Sequence, residues 1–446
     1  MNPSRIIILV ISLFVLQSTT AQDMWKYFTP ADFAARRAKV MEQIGDGIAI
    51  MQGAELTEGF VKFRQDNNFY YLTGVELPGA MLIMNGKNKR TTLLVPEHPN
   101  GDIKAEAQIK TGDSSARFYK VDAIVNIADF TSWVGYMATN NQPFYLVTSP
   151  EETTEMSRDR CMQIRATRMN DPWDGRIPKE VNFYNKIKER FPQASIKDLT
   201  PILDMMRWVK DKKEIAALRE CGRIGALGFD EAMRVTRPGI FEYQVVAACD
   251  FVYQDKGAQC PAYFAIAASG ERALAWHYNA NNHPLKAGEV ILLDYAPDLN
   301  YYVTDITRTW PVAGKFTEIQ LTFYNCIKEA EEKVIAMMKP GITVNDMKKV
   351  AKDVYIKYGF EKYWLNYIGH FVGMAVHDVG PYDKPFVEGV VFNVEPLIED
   401  KEMKFHMRLE DTIVITATGS ENLTATTTVV PDEIYKLIKE KGIGER

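Results

Sequence analysis

The chain has 446 residues, 46% hydrophobic and 25% charged, a balance that excludes a largely disordered or collagen-like polypeptide. Its net charge of −5 and pI near 5.8 leave no global basic field to hold nucleic acid or an anionic membrane. A chain of this length holds two or three domains, at roughly 100–200 residues each.

In chain order, the first feature is a leader. Arg5 precedes an apolar run of 11 residues, Ile6 to Leu16, interrupted only by Ser12, and Ser18-Thr19-Thr20-Ala21 follows. This pattern predicts a signal peptide over residues 1–21, cleaved after Ala21, and an exported protein, periplasmic or secreted. The run falls short of the ~20 residues needed to span a bilayer. No later stretch approaches that length, so no stable membrane insertion is expected once the leader is removed. Five cysteines (Cys161, Cys221, Cys249, Cys260 and Cys326) show no C-x-x-C spacing, and buried free thiols are the expected state.

Residues 22–200 read as an α/β domain. Gly47–Met51, Met81–Met84, Thr92–Val95 and Phe144–Val147 are apolar runs bounded by Gly, Pro and Asn, and predict buried strands. A polar stretch, Asn170 to Pro178, and then Asp198-Leu199-Thr200-Pro201 lead to a second domain over 205–440.

That second domain contains an internal repeat. Asp211 and Glu214 have capping-box spacing and open a long helix that stops at Pro238-Gly239; Thr317 and Gln320 open another that stops at Pro340-Gly341. A second helix follows each stop and ends at Gly257 and Gly359. Both the prolines and these glycines lie 102 residues apart. The pattern predicts two related α+β halves with a site at their seam.

Each half then delivers two acids. Asp294 ends the apolar run Val290–Leu293, and Asp305 follows Tyr302-Val303-Thr304; a turn at Leu299-Asn300 would set them directly opposite. Glu395 and Glu410 do the same around Glu402-Met403. Opposed residues of an antiparallel pair share one face with Cβ atoms ~4.5–5.5 Å apart, so like charges there need a cation between them. That cation could be an arginine, and Arg308 and Arg408 are near enough in sequence. Two symmetric acid pairs with one imidazole can instead hold two divalent ions. An oxygen-rich set with one histidine suits Mn²⁺, Co²⁺, Fe²⁺ or Zn²⁺. Of six histidines, His370 between Gly369 and Gly373 reads as the ligand. His277 and His377, offset by about the repeat length, read as uncoordinated groups facing the site. His98, His283 and His406 are expected on loops or in ordinary polar contacts.

At these residues the chain resembles the metallopeptidase family M24, which includes aminopeptidase P, prolidase and methionine aminopeptidase. The family pattern maps onto Asp294, Asp305 in Thr304-Asp305-Ile306-Thr307-Arg308, His370, Glu395 before Pro396, and Glu410 in Arg408-Leu409-Glu410-Asp411. Phe63-Arg64-Gln65-Asp66-Asn67-Asn68-Phe69-Tyr70-Tyr71-Leu72-Thr73-Gly74 resembles the creatinase-like first domain of the aminopeptidase P and prolidase branch. The resemblance implies an α+β pita-bread catalytic domain behind a creatinase-like α/β domain. It implies two divalent ions, Mn²⁺ foremost, with Asp305 and Glu410 bridging and Asp294, His370 and Glu395 completing them. It further implies hydrolysis of the N-terminal Xaa-Pro bond of short peptides. Glu395 would pass a proton to the leaving nitrogen, and His277 and His377 would steady the tetrahedral intermediate and the substrate backbone. Arg408 and position 366 join the histidines as substrate-binding candidates. A homo-oligomer, a dimer, is the family's common state.

Three departures bear on specificity. Asn366 stands where the branch usually has the first histidine of His-Gly-x-x-His, Leu397 replaces a Gly after Glu395-Pro396, and Tyr295-Ala296 replaces a pair of small residues. These imply reshaped pocket walls. The alternatives are a broader aminopeptidase, a prolidase-like dipeptidase, or a binding protein on the same scaffold without catalysis.

Overall fold

A computed structural model describes residues 27–56, 61–96, 109, 111–153 and 157–443. The expected leader and His98 lie outside the described residues. Among the described residues, no helix is long and apolar enough to cross a membrane.

The first domain is built on a six-stranded sheet, in the spatial order Ala123–Asn126, Arg90–Val95, Met81–Asn85, Ile48–Gln52, Phe144–Leu146 and Ile196–Asp198. Met81–Asn85 pairs antiparallel with both neighbours, and the other contacts are parallel. The four expected apolar runs form the centre. The two edge strands lack such runs and are only partly buried, which is why hydrophobic patterning passes over them. Helix Thr200–Trp208 then carries the chain across to the second domain.

The motif from Phe63 to Gly74 is an interface between the domains. Asp66 caps the short helix Asn67–Thr73, accepting from the Phe69 N–H at 2.9 Å, and Gly74 ends it at φ 65°. All seven helix residues are buried. Tyr70 stacks on Tyr301 with ring centroids 3.6 Å apart, Arg64 pairs with Asp298 at 3.0 Å, and Asn67 donates to the Met374 carbonyl at 3.0 Å. The motif therefore grips the turn before Asp305 and the loop after His370. Arg207 adds a buried tie, between Glu152 of the first domain and Asp378 of the second at 2.7 and 2.6 Å.

The second domain shows the predicted repeat. Helices Lys212–Val235 and Glu318–Met337 both start with a formed capping box, and the helices that follow them are Glu242–Asp255 and Val344–Lys357. In the first half, Val290–Asp294 lies between Ile266–Ser269 and Thr307–Pro311, all antiparallel. In the second half, Val391–Val394 pairs with Asp411–Ile415, which pairs with Ser420–Asn422. The halves join where Thr307 and Glu410 exchange both backbone hydrogen bonds, at 3.0 and 3.3 Å. One apolar core, including Trp310, Phe323, Tyr324, Phe371 and Phe392, runs through both halves. No disulfide joins any of the five cysteines, and all but Cys260 are buried.

Candidate metal centre

Asp294 is the last residue of a wholly buried strand, and its register differs from the expected one. It faces Thr307, not Asp305, because the hairpin turns at Asn300-Tyr301, with Leu299 opposite Tyr302. Both turn residues have positive φ, 54° and 69°, as the two-residue turn that suits a twisted hairpin requires. The shift amounts to two positions, so Asp305 keeps the face it was expected on and becomes a diagonal neighbour of Asp294. The Tyr263 hydroxyl lies between the two carboxylates, 2.6 Å from Asp294 Oδ1 and 2.5 Å from Asp305 Oδ1. Thr412, from the other half, clasps the Asp305 backbone: its Oγ1 accepts from the Asp305 N–H and donates to the Asp305 carbonyl, both at 2.9 Å.

The second pair has the expected register. Val394 opposite Asp411 and Leu397 opposite Arg408 bracket Glu395 and Glu410 as facing residues. His370 is held beside them by Asn393, whose Oδ1 accepts from the His370 N–H at 2.5 Å and whose N–H donates to the His370 carbonyl at 2.9 Å. That approach requires Gly369, at φ 144°, because a Cβ there would lie 2.3 Å from the Asn393 carbonyl oxygen. His370 Nδ1 sits 3.2 Å from the Phe371 carbonyl, an acceptor only, so Nδ1 carries the proton, and the unprotonated Nε2 accepts from the Asn393 side-chain amide at 2.7 Å. Nε2 points at Asp305 Oδ2 at 3.4 Å and Glu410 Oε1 at 4.0 Å. Burial holds the His370 imidazole below its ordinary pKa, against the pull of Glu395, and so favours the neutral ligand form.

Charge balance tests whether cations fit here. Of the two arginines considered, Arg308 pairs with Asp411 at 2.6 Å and braces the Glu410 carbonyl at 2.7 Å. Arg408 does enter the cluster: it pairs with Asp294 and reaches Glu395 Oε1 at 3.3 Å, so one guanidinium touches an acid from each half. It is buried behind the carboxylates and is not part of the cavity lining expected of a substrate-binding residue. One arginine against four buried carboxylates leaves an excess of negative charge. Accordingly Asp305 and Glu410 are pushed well above the ordinary carboxylate range, first by burial, then for Asp305 by Asp294 and for Glu410 by Asp305 and Glu395. Ligand atoms of Asp305, His370 and Glu410 all lie within 4.8 Å of one another. Buried acids beside an unprotonated imidazole nitrogen are a donor set for divalent cations, and the residues fit that role.

This cluster meets a cavity of about 760 Å³ whose lining includes Asp294, Asp305, His277 and His377. The His377 ring lies 4.0 Å from that of His370. Burial lowers the His277 pKa, with Asp294 opposing. Asn366 is not brought to the cluster: it is exposed at φ 56°, in a left-handed turn that asparagine tolerates. Tyr367 takes the inward position, donating from its hydroxyl to Glu395 Oε2 at 2.6 Å. The two other departures do not shape the cavity wall either. Tyr295 is buried with its hydroxyl on Asp250 at 2.6 Å, and Leu397 is a buried strand residue. His406 also departs from expectation, being a buried strand residue whose pKa burial lowers to about 3.

Sequence reasoning missed Tyr263, Tyr367, Asn393 and Asp159. Asn393 carried one usable signal, a polar residue inside the apolar run Val390–Val394, two positions before Glu395.

A family description, "Metallopeptidase family M24", matches residues 216–417, and "Aminopeptidase P, N-terminal domain" matches residues 33–145. The chain belongs to metallopeptidase family M24, with the aminopeptidase P type of first domain. It is similar to the Xaa-Pro aminopeptidase of Escherichia coli, 27% identical over 451 residues that cover 91% of this chain and 97% of the relative. It is 33% identical over 250 residues to the Xaa-Pro dipeptidase of Pyrococcus horikoshii, covering 54% of this chain and 71% of that one. Among solved structures, zinc-substituted E. coli aminopeptidase P in complex with product superposes with a TM-score of 0.77 at 25% identity, covering 92% of this chain and 98% of that one.

Proposed function

We propose that this protein is a metal-dependent exopeptidase that hydrolyses the N-terminal Xaa-Pro bond of short peptides. The observation that carries the reading is the cluster at the cavity: Asp305, His370 and Glu410 offer ligand atoms within 4.8 Å of one another, and Tyr263 and Arg408 tie Asp294 and Glu395 to them, with the unprotonated His370 Nε2 facing the acids. The cavity volume lies within the roughly 300–1,000 Å³ of small-ligand sites, which suits a short peptide and not a folded protein. The similarity to an Xaa-Pro aminopeptidase over nearly the whole chain supports the bond preference.

Asp305 and Glu410 would bridge two divalent ions, with Asp294, His370 and Glu395 completing them; Mn²⁺ is the ion we propose. When bound, such ions supply Lewis-acid activation of a water and of the peptide carbonyl. The chain does the rest. Arg408 fixes Asp294 and Glu395 and balances part of their charge. Glu395 takes the proton of the attacking water and delivers it to the leaving nitrogen, its carboxylate oriented by the Tyr367 hydroxyl on Oε2 and by Arg408 at Oε1. His277 and His377 hydrogen-bond the substrate backbone and the developing oxyanion from the cavity wall. We further propose an exported enzyme, on the strength of the Arg5 to Ala21 pattern, working as a dimer, the state that the family resemblance implies.

The test compares Xaa-Pro-Yaa with the matching Xaa-Ala-Yaa tripeptide, at equal Mn²⁺ and after chelation. Faster release of Xaa from the proline peptide, abolished by chelation, is expected. An equal or higher rate on the alanine peptide would overturn the proline assignment and leave the metallopeptidase intact.

A further inference from the structure

The cavity is not built by the second domain alone. Ser157, Asp159, Arg160 and Gln163, at the start of the first-domain helix Arg158–Asn170, line it together with His277 and His377. The contact is specific. The Arg158 N–H donates to the His377 carbonyl at 3.0 Å, and both carboxylate oxygens of Asp159 lie 3.0–3.1 Å from His377 Nδ1. The carboxylate is itself oriented, because Ser157 Oγ donates to Asp159 Oδ1 at 2.5 Å and the Arg160 N–H does so at 2.9 Å.

An ionised carboxylate only accepts hydrogen bonds, so His377 must carry its proton on Nδ1, and Nε2 is the atom left for a ligand. We propose that Asp159 is a positioning residue: it holds the His377 ring with Nδ1–H toward the first domain and Nε2 presented to the peptide. The first domain thus completes the catalytic cavity within its own chain. The role rests on the peptidase reading, which gives His377 a substrate to contact. Asp159 is 69% exposed, so the pair adds little to folding stability and its effect falls on the reaction.

Asp159→Asn tests this, because an amide can donate to Nδ1 and so favour the other tautomer. In the metal-loaded enzyme kcat/KM should fall about fivefold to tenfold, an effect the size of a charge-assisted hydrogen bond discounted for exposure. Metal content and melting temperature should not move, and Asp159→Glu should recover part of the loss. In a His377→Ala background the same substitution should have no further effect. An equal loss in both backgrounds, or none in the first, overturns the proposal. Long-range ¹⁵N NMR of the histidine rings reads the tautomer without turnover: Nδ1–H in the parent chain, displaced in Asp159→Asn. An unchanged tautomer would sink the proposal even if peptides are cleaved. A changed tautomer in a chain that cleaves none would sink the peptidase reading alone.

Discussion

The two acid pairs of the repeat reach the same place by different means. Glu395 and Glu410 face each other through ladder register alone, bracketed by Val394–Asp411 and Leu397–Arg408. Asp294 and Asp305 are displaced by two positions and are drawn together by the Tyr263 hydroxyl and by Thr412 of the opposite half. Register makes the second pair a property of the sheet. The first pair depends on side chains from outside its hairpin. The repeat therefore conserves the location of charge in space more strictly than it conserves strand pairing.

The largest test of that equivalence removes one acid from each pair. Asp305→Asn and Glu410→Gln should each lower kcat/KM about 1,000-fold, the scale of several kcal/mol of metal-supplied stabilisation, and should lose bound metal. If one variant retains activity, the pairs are not equivalent.

Arg408 is the only guanidinium seen to touch acids of both pairs among the described residues. Arg408→Ala should destabilise the metal-free protein by about 3 kcal/mol, because it leaves buried acids without a cation. Metal should recover most of that loss. Chemical denaturation with and without Mn²⁺ measures both numbers.

Two tyrosines sharpen the contrast further. Tyr263→Phe should weaken metal binding about tenfold, since its hydroxyl organises the first pair. Tyr367→Phe should leave metal binding largely intact and lower kcat by a similar, about tenfold, factor through Glu395. Metal titration beside steady-state kinetics separates the two, and exchanged phenotypes would refute these roles.

The smallest effect is in pH dependence. Asp305 and Glu410 are raised in the folded, metal-free protein, which therefore holds protons that the unfolded chain releases. Their contribution to stability is complete below the ordinary carboxylate range, about pH 4, and is lost as pH rises through their raised values. The melting temperature of chelated protein should fall behind that of metal-loaded protein as pH increases from about 4. Asp305→Asn should flatten that difference, and a pH-independent gap in the parent would contradict the assignment.

What was legible in the sequence follows from locality. The helix starts at Asp211 and Thr317 and the stops at Pro238 and Pro340 are signals within four residues, and the helices formed where those signals stand. The five positions proposed as ligands were readable as candidates because each sits beside an apolar run or between glycines. The first hairpin's register was not, because it rests on Tyr301 accepting a positive φ, which its residue type does not advertise. Nor could the sequence say that Tyr367 turns inward while Asn366 turns out, since that depends on the backbone sign at 366. Asp159 meets His377 across 218 residues, and no local pattern encodes such a contact. The motif from Phe63 to Gly74 was readable as a family mark, but its work, gripping Asp298, Tyr301 and Met374, shows only in three dimensions.

The central claim is that the two pairs together hold two divalent ions and that hydrolysis depends on both. Its most direct test is stepwise addition of Mn²⁺ to chelated protein, with bound metal and Xaa-Pro-Yaa turnover followed on the same samples. Binding should saturate at two ions per chain, with activity absent from the metal-free protein and complete only at saturation. Full turnover by a metal-free preparation would contradict it.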